Sequence, residues 1–244
     1  QFAIAPGLLA ASAIGILRPT MPSWLSTSYR VSLPPALVRG ASTAVTGDGG
    51  DFRLALGQLG RYAGFGIQQF ERTAGEQASL SASQQLSAGW RVGAAAVRVQ
   101  GSDTVPDHTA GSVAILREGA RAGTGTKLQL STSDNGERAG WLDGLHRDGR
   151  LTQRYGAYQV DPQFQFGENA ATRDIRGAYW RGDYRSAGDY YGGGIELTQD
   201  NLRRDPARGG YDSAGAYANV ALRLDRSLQA GGGLSFRNEE PRVA

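Results

Sequence analysis

Apolar and polar residues alternate along much of this chain. In LSTSYRVSL, Leu25, Thr27, Tyr29, Val31 and Leu33 share one parity, and Ser26, Ser28, Arg30 and Ser32 the other. AYANVALRL sets Ala216, Ala218, Val220, Leu222 and Leu224 against Tyr217, Asn219, Ala221 and Arg223. LQAGGGLSF does the same with Leu228, Ala230, Gly232, Leu234 and Phe236 against Gln229, Gly231, Gly233 and Ser235, with Arg237 following, and KLQLST places Leu128 and Leu130 against Lys127, Gln129 and Ser131. Extended backbone sends successive side chains to opposite faces, so this period predicts strands with one apolar and one polar side. Strands are expected near 78–85, 90–99, 112–118, 126–132, 138–146, 150–159, 172–185, 190–198, 212–224 and 228–237, with further ones at 25–33, 37–45, 52–58 and 62–70. No convincing amphipathic helix interrupts them.

The connections fall into two kinds. Short ones lie near 86–89, 119–124, 147–149, 186–189 and 225–227; longer polar ones span 100–111, 133–137, 160–171 and 199–211. The two kinds alternate from residue 78 onwards, and the last three short turns recur every 39 residues (147, 186, 225), which is a hairpin length. No connection has room for a crossover helix, so every neighbour is expected to be antiparallel. The expected fold class is all-β, an antiparallel up-and-down sheet of about 10–14 strands.

The strands reach ten or more residues, the length that crosses a bilayer when tilted, whereas soluble strands average about five or six. Trp90, Trp141, Trp180, Tyr184 and Tyr191 fall towards strand ends, as interfacial aromatics do. Arg30 and Arg223 lie on the polar parity; Arg98 shares the apolar parity of Trp90, Val92, Ala94 and Ala96 but sits near a strand end, where the cost in lipid falls. In the hairpin GAYWRGDYRSAGDYYGGGIELTQD, Tyr191, Gly193, Ile195 and Leu197 are expected on the lipid side. Tyr190, Gly192, Gly194, Glu196 and Thr198 then face a wet interior, and Arg181, Asp183 and Arg185 approach the short turn. A soluble antiparallel sandwich or barrel is the competing arrangement. The membrane reading predicts a transmembrane β-barrel over residues 25–244 after an N-terminal segment, 1–24, of uncertain structure. Its apolar run Phe2–Leu17 contains Pro6 and is short for a membrane helix. With no basic residue ahead of it, it is expected to form a strand pair or packed segment, not a signal peptide.

Patterns such as AYANVALRLDRSLQAGGGLSF, two strands around a tight turn, resemble Gram-negative outer-membrane β-barrel proteins, and among these large secretion barrels such as pilus ushers and exopolysaccharide exporters. The resemblance covers about residues 25–237 and implies an outer-membrane location, with outer-membrane lipid and lipopolysaccharide as surroundings. Such barrels usually end in a strand with a terminal aromatic, whereas this chain ends RNEEPRVA. That departure predicts a final strand elsewhere, in a longer chain or another subunit.

Composition narrows the chemistry. With 26 basic against 23 acidic residues the charges nearly cancel, so no nucleic-acid partner is expected. Lysine occurs once, as Lys127, and Gly reaches 36 residues, about twice its usual share. The chain has no cysteine, which excludes disulfides and thiol catalysis. Its 2 histidines, His108 and His146, lie in different loops or turns, and no HExxH, GxSxG or phosphate loop occurs. Gly192–Glu196 and the stretch 122–126 read as sheet glycines or turns. No enzyme activity, cofactor or metal is expected. In the loop from Asp200 to Asp212, acids alternate with Arg203, Arg204 and Arg208, which suits internal ion pairs or a divalent ion bridging to lipopolysaccharide. The candidate site is a lumen lined by Arg30, Lys127, Gln129, Glu196, Asn219, Arg223, Gln229 and Arg237. Such groups set passage by charge and hydrogen bonding. The expected function is a channel for a polar substrate or secreted polymer. The alternatives are a non-conducting structural or adhesive anchor and a soluble all-β binding domain.

Overall fold

The computed structural model describes residues 2–33, 36–64, 69–101, 106–121, 123–167 and 173–242. Strands follow one another as β1 (Phe2–Ala5), β2 (Leu8–Leu17), β3 (Leu37–Gly47), β4 (Gly50–Ala63), β5 (Gln69–Ser87), β6 (Trp90–Gln100) and β7 (His108–Glu118). The second half continues with β8 (Gly125–Ser133), β9 (Arg138–Asp148), β10 (Leu151–Val160), β11 (Ile175–Arg185), β12 (Tyr190–Asp200), β13 (Gly210–Arg223) and β14 (Gln229–Arg242). They form one 14-stranded antiparallel sheet in sequence order, the up-and-down architecture of a barrel wall. Among the described residues β1 and β14 do not pair. No described helix is long and apolar enough to cross a membrane.

The expected strand pair within Phe2–Leu17 is present, and β2 pairs with β3 from Leu8↔Gly47 to Leu17↔Val38. The sheet therefore reaches back across the boundary at residue 25. The alternation of short and long connections also extends back, to the tight turn at Pro6–Gly7. Expected strand 62–70 is instead the far end of one hairpin, with Tyr62 paired to Phe70 and 65–68 outside the described residues. Residue 122, residues 102–105 and 168–171 of two expected loops, and residue 172 at the start of expected strand 172–185 also lie outside them.

One expectation fails outright. Residues 25–33 are not a strand of the sheet. Ser23–Ser26 form a single helical turn, α1, and the rest closes on itself through an isolated bridge, Thr27↔Ser32. Two consecutive residues, Pro34 and Pro35, follow it, and neither can donate a ladder hydrogen bond. The described part of the connection from β2 to β3, here called the strap, folds against one face of the sheet. It touches β4, where Arg53 Nη1 donates to Thr20 Oγ1 at 2.7 Å, and β12, where Arg30 pairs with Glu196. One short segment reaches so many strands because the sheet curves around it. That defines the inner face.

Burial on the two faces is the reverse of a soluble sheet. In β8, Lys127, Gln129 and Ser131 point inward and are 6, 0 and 6% exposed, while Leu128 and Leu130 point outward and are 44 and 56% exposed. Outward Ile14, Ile195, Leu197 and Leu234 continue the exposed apolar band. The glycines gain a specific role in packing. Tyr179 lies opposite Gly156, Tyr158 opposite Gly177 and Tyr155 opposite Gly144. A Cβ on any of these glycines would meet the facing ring within 2.2–2.8 Å. Each ring thus lies flat across the neighbouring strand, a cross-strand pairing that only glycine admits.

Candidate functional site

The strap is held to the inner wall by both apolar and polar contacts. Leu25, Val31 and Leu33, each 0% exposed, supply its apolar side, and Val31 and Leu33 join Trp141, Tyr158 and Tyr179 in the buried cluster. Trp24 lies over Gly93 of β6, where a Cβ would come within 2.7 Å of the ring. Polar wall residues then bind the strap's backbone. Lys127 Nζ donates to the carbonyls of Trp24 at 2.9 Å and Thr27 at 2.5 Å, with Asp143 Oδ2 at 3.8 Å. Gln129 Nε2 donates to the Leu25 carbonyl at 2.8 Å and to Ser112 Oγ at 2.7 Å. A buried ammonium is costly unless its donors are used, and the strap's carbonyls use them.

A second group meets the strap from strands further along the same sheet, β9, β11 and β13. Arg181 donates to Tyr29 Oη at 2.7 Å and to Tyr217 Oη at 2.6 Å, and its guanidinium lies 5.2 Å from each ring centroid. Tyr29 packs on Tyr179 at 4.4 Å, and Tyr179 donates to Asp143 Oδ1 at 2.8 Å. Arg30 donates to Glu196, and that hydrogen bond raises the guanidinium's pKa above its usual value, against a smaller opposing effect of burial. Space remains on both sides of the strap. A cavity of about 720 Å³ towards the short turns is bordered by Trp24, Tyr29, Glu118, Arg121, Asp143 and Arg154. Another of about 240 Å³ towards β2–β5 is bordered by Arg18, Thr20, Arg53, Gln77, Ser79 and Ser81.

Of the residues expected to line a lumen, Arg30, Lys127, Gln129 and Glu196 meet at the strap. Asn219, Arg223, Gln229 and Arg237 share the inner parity of β13 and β14 but lie apart from it. Arg223 caps the short turn, donating to the carbonyls of Asp225 at 3.2 Å and Arg226 at 3.3 Å, and Arg237 pairs with Glu239 at 2.5 Å. Sequence reasoning missed Tyr29, Asp143, Tyr179, Arg181 and Tyr217. Arg181 in particular reaches Tyr29 of the strap and, past Gly194, Tyr217 two strands along the sheet, instead of the turn. The signal for Tyr179 and Arg181 was their parity, opposite to Trp180.

The expected interfacial aromatics divide. Trp90, Trp180, Tyr184 and Tyr191 point outward and are 41, 41, 40 and 45% exposed. Trp141 is a correction. It is 1% exposed on the inner face, because its register partner in β8 is the inward Gln129, and the Lys127 ammonium lies 5.9 Å from its ring. In the loop regions, Arg203 pairs with Glu137, and Arg208 pairs with Asp174 at 2.8 Å, so these two arginines of Asp200–Asp212 bond to acids of neighbouring loops. Among the described residues no cluster of metal ligands forms.

An up-and-down barrel wall with an exposed apolar outside, a polar inside and an inward-folded connection is the porin type of architecture. No family model and no curated protein matches the chain. Among solved structures, the crystal structure of the outer-membrane porin OpdQ from Pseudomonas aeruginosa matches over 94% of this chain and 73% of that one, with a TM-score of 0.56 and 12% identity. The likeness is one of fold. It bears on the barrel and not on the secretion barrels named above.

Proposed function

We propose that the protein is an integral outer-membrane barrel that conducts polar solutes past the strap. The observation that carries this reading is the reversed burial of β8, with leucines exposed outside and Lys127, Gln129 and Ser131 buried within. A soluble sheet with so large an exposed apolar band would aggregate, whereas lipid covers it. Trp90, Trp180, Tyr184 and Tyr191 then serve as interfacial anchors. The inner groups Arg30, Lys127, Gln129, Glu196, Asn219, Arg223, Gln229 and Arg237 line the passage, and the strap favours small solutes over a polymer. Lipid does not tolerate an unpaired strand edge, so this reading includes further strands beyond β1 and β14, from a longer chain or another subunit.

The density of packing around Leu25, Val31 and Leu33 favours one second reading, a plugged barrel that anchors its loops without conducting. Planar-bilayer recording separates the two. Stepwise currents from protein that shows heat-modifiable migration support the channel; folded, inserted protein that passes no current removes it.

A further inference from the structure

The outer face ends differently at its two rims. Near the short turns its outward positions carry Trp90, Tyr184 and Tyr191, and the outward arginine there, Arg117, lies 5.8 Å from the Trp90 ring. At the long-loop rim the outward positions carry Arg39, Arg98, Arg138 and Arg176, each exposed and within three residues of the strand end. Polar neighbours continue the row in register: Gln58 beside Arg39, Thr109 beside Arg98, Thr132 beside Arg138 and Gln159 beside Arg176. Acids share the rim: Glu76 lies opposite Gln58, Asp212 opposite Gln199, and Asp134 and Asp161 accept from the backbone N–H groups of Thr109 and Arg138, but none of them pairs with the guanidinium of Arg39, Arg98 or Arg138. Arg176 is held by Gln199. The guanidiniums of Arg39, Arg98 and Arg138 have no hydrogen bond or ion pair among the described residues.

We propose that this arginine belt binds the phosphate groups of lipopolysaccharide in the leaflet facing the long loops. The inference rests on the membrane reading above and adds the residues and the headgroup. The belt borders the apolar band, so a lipid whose chains cover Leu130, Leu142 and Ala178 presents its headgroup at the arginines. A planar guanidinium fork matches phosphate oxygens with paired hydrogen bonds. Long loops lie on the outer side of such barrels, where a phosphorylated glycolipid meets them. At the other rim the sole outward arginine named is already stacked on an indole.

The test measures lipid retained by detergent-folded protein after gel filtration, using lipid A with both phosphates and the same lipid with none. Phosphorylated lipid should be retained at least fivefold better, on the scale of a single basic contact at a membrane surface (about fivefold). Combining Arg39→Gln, Arg98→Gln, Arg138→Gln and Arg176→Gln should erase the difference, while Arg117→Gln leaves it. If the combined variant does not fold, single Arg98→Gln and Arg138→Gln variants should each lose severalfold. Equal retention of both lipids by folded protein overturns the belt and leaves the barrel reading intact, as does a folded variant set that keeps full retention. A protein that never becomes heat-modifiable in detergent removes the membrane reading and this proposal together.

Discussion

Residues 25–33 and 125–133 alternate in the same way, and in the folded protein they lie against each other. The second is β8, paired along its length to β7 and β9. The first is the strap, whose only bridge among the described residues is internal. Their apolar sides have opposite fates: Leu128 and Leu130 are 44 and 56% exposed, whereas Leu25, Val31 and Leu33 are fully buried. Period-two patterning therefore reports that one side of an extended segment is apolar. Whether that side meets lipid or the inner wall depends on what hydrogen-bonds the backbone. In β8 two neighbouring strands do so; in the strap its own turns do, with Lys127 and Gln129 taking the carbonyls of Trp24, Thr27 and Leu25.

The largest contrast comes from disabling each segment in turn. Gln129→Pro removes a ladder donor in the middle of a strand paired on both edges and should abolish folding. Heat-modifiable migration should disappear. Replacing 23–32 with a short Gly-Ser linker should leave that migration intact, because Leu17 and Val38 are already register partners. Single-channel conductance should then rise severalfold. A linker variant that fails to fold would show that the strap is part of the wall's stability.

A smaller effect is expected from the link between the two segments. Lys127→Met removes the donors to Trp24 and Thr27 and leaves Asp143 beside the strap without its cation. Breaking a buried pair on one side costs about 3–5 kcal/mol. Denaturant unfolding of the inserted barrel should show that loss, and cleavage by added protease within the strap should become faster. Combining Lys127→Met with Asp143→Leu should recover part of the stability; equal loss in single and double variants would mean that the Lys–Asp pair does not contribute.

Local alternation was enough to read β6, β8, β12, β13 and β14, and with them the outward Ile195 and Leu197 and the inward Glu196. The turn lengths gave the antiparallel order. Trp141 was misread because proximity to a strand end says nothing of face, and its parity becomes decisive only beside Gln129. The tyrosine–glycine pairs were hidden for the same reason, since Tyr179 and Gly156 meet only once register is known. The strap's site is assembled by contacts such as Gln129 to Leu25, which are 104 residues apart. No local pattern carries that information, although the prolines at 19, 22, 34 and 35 mark the strap as a poor ladder member.

The mildest change tests whether the strap sets charge selectivity as well as width. Arg30 and Glu196 form a pair with side chains 43 and 26% exposed, so solvent screens it and its loss should cost no more than about 1 kcal/mol. Arg30→Gln should therefore leave the unfolding midpoint nearly unchanged. It removes one positive charge from the strap and frees the Glu196 carboxylate into the passage, where charged groups bias ion entry. The reversal potential in a salt gradient should move towards cations. Glu196→Gln should move it the opposite way, and the two changes together should return it close to the starting value. If neither substitution shifts the reversal potential while current still flows, ions pass elsewhere, and the strap differs from β8 in fold alone.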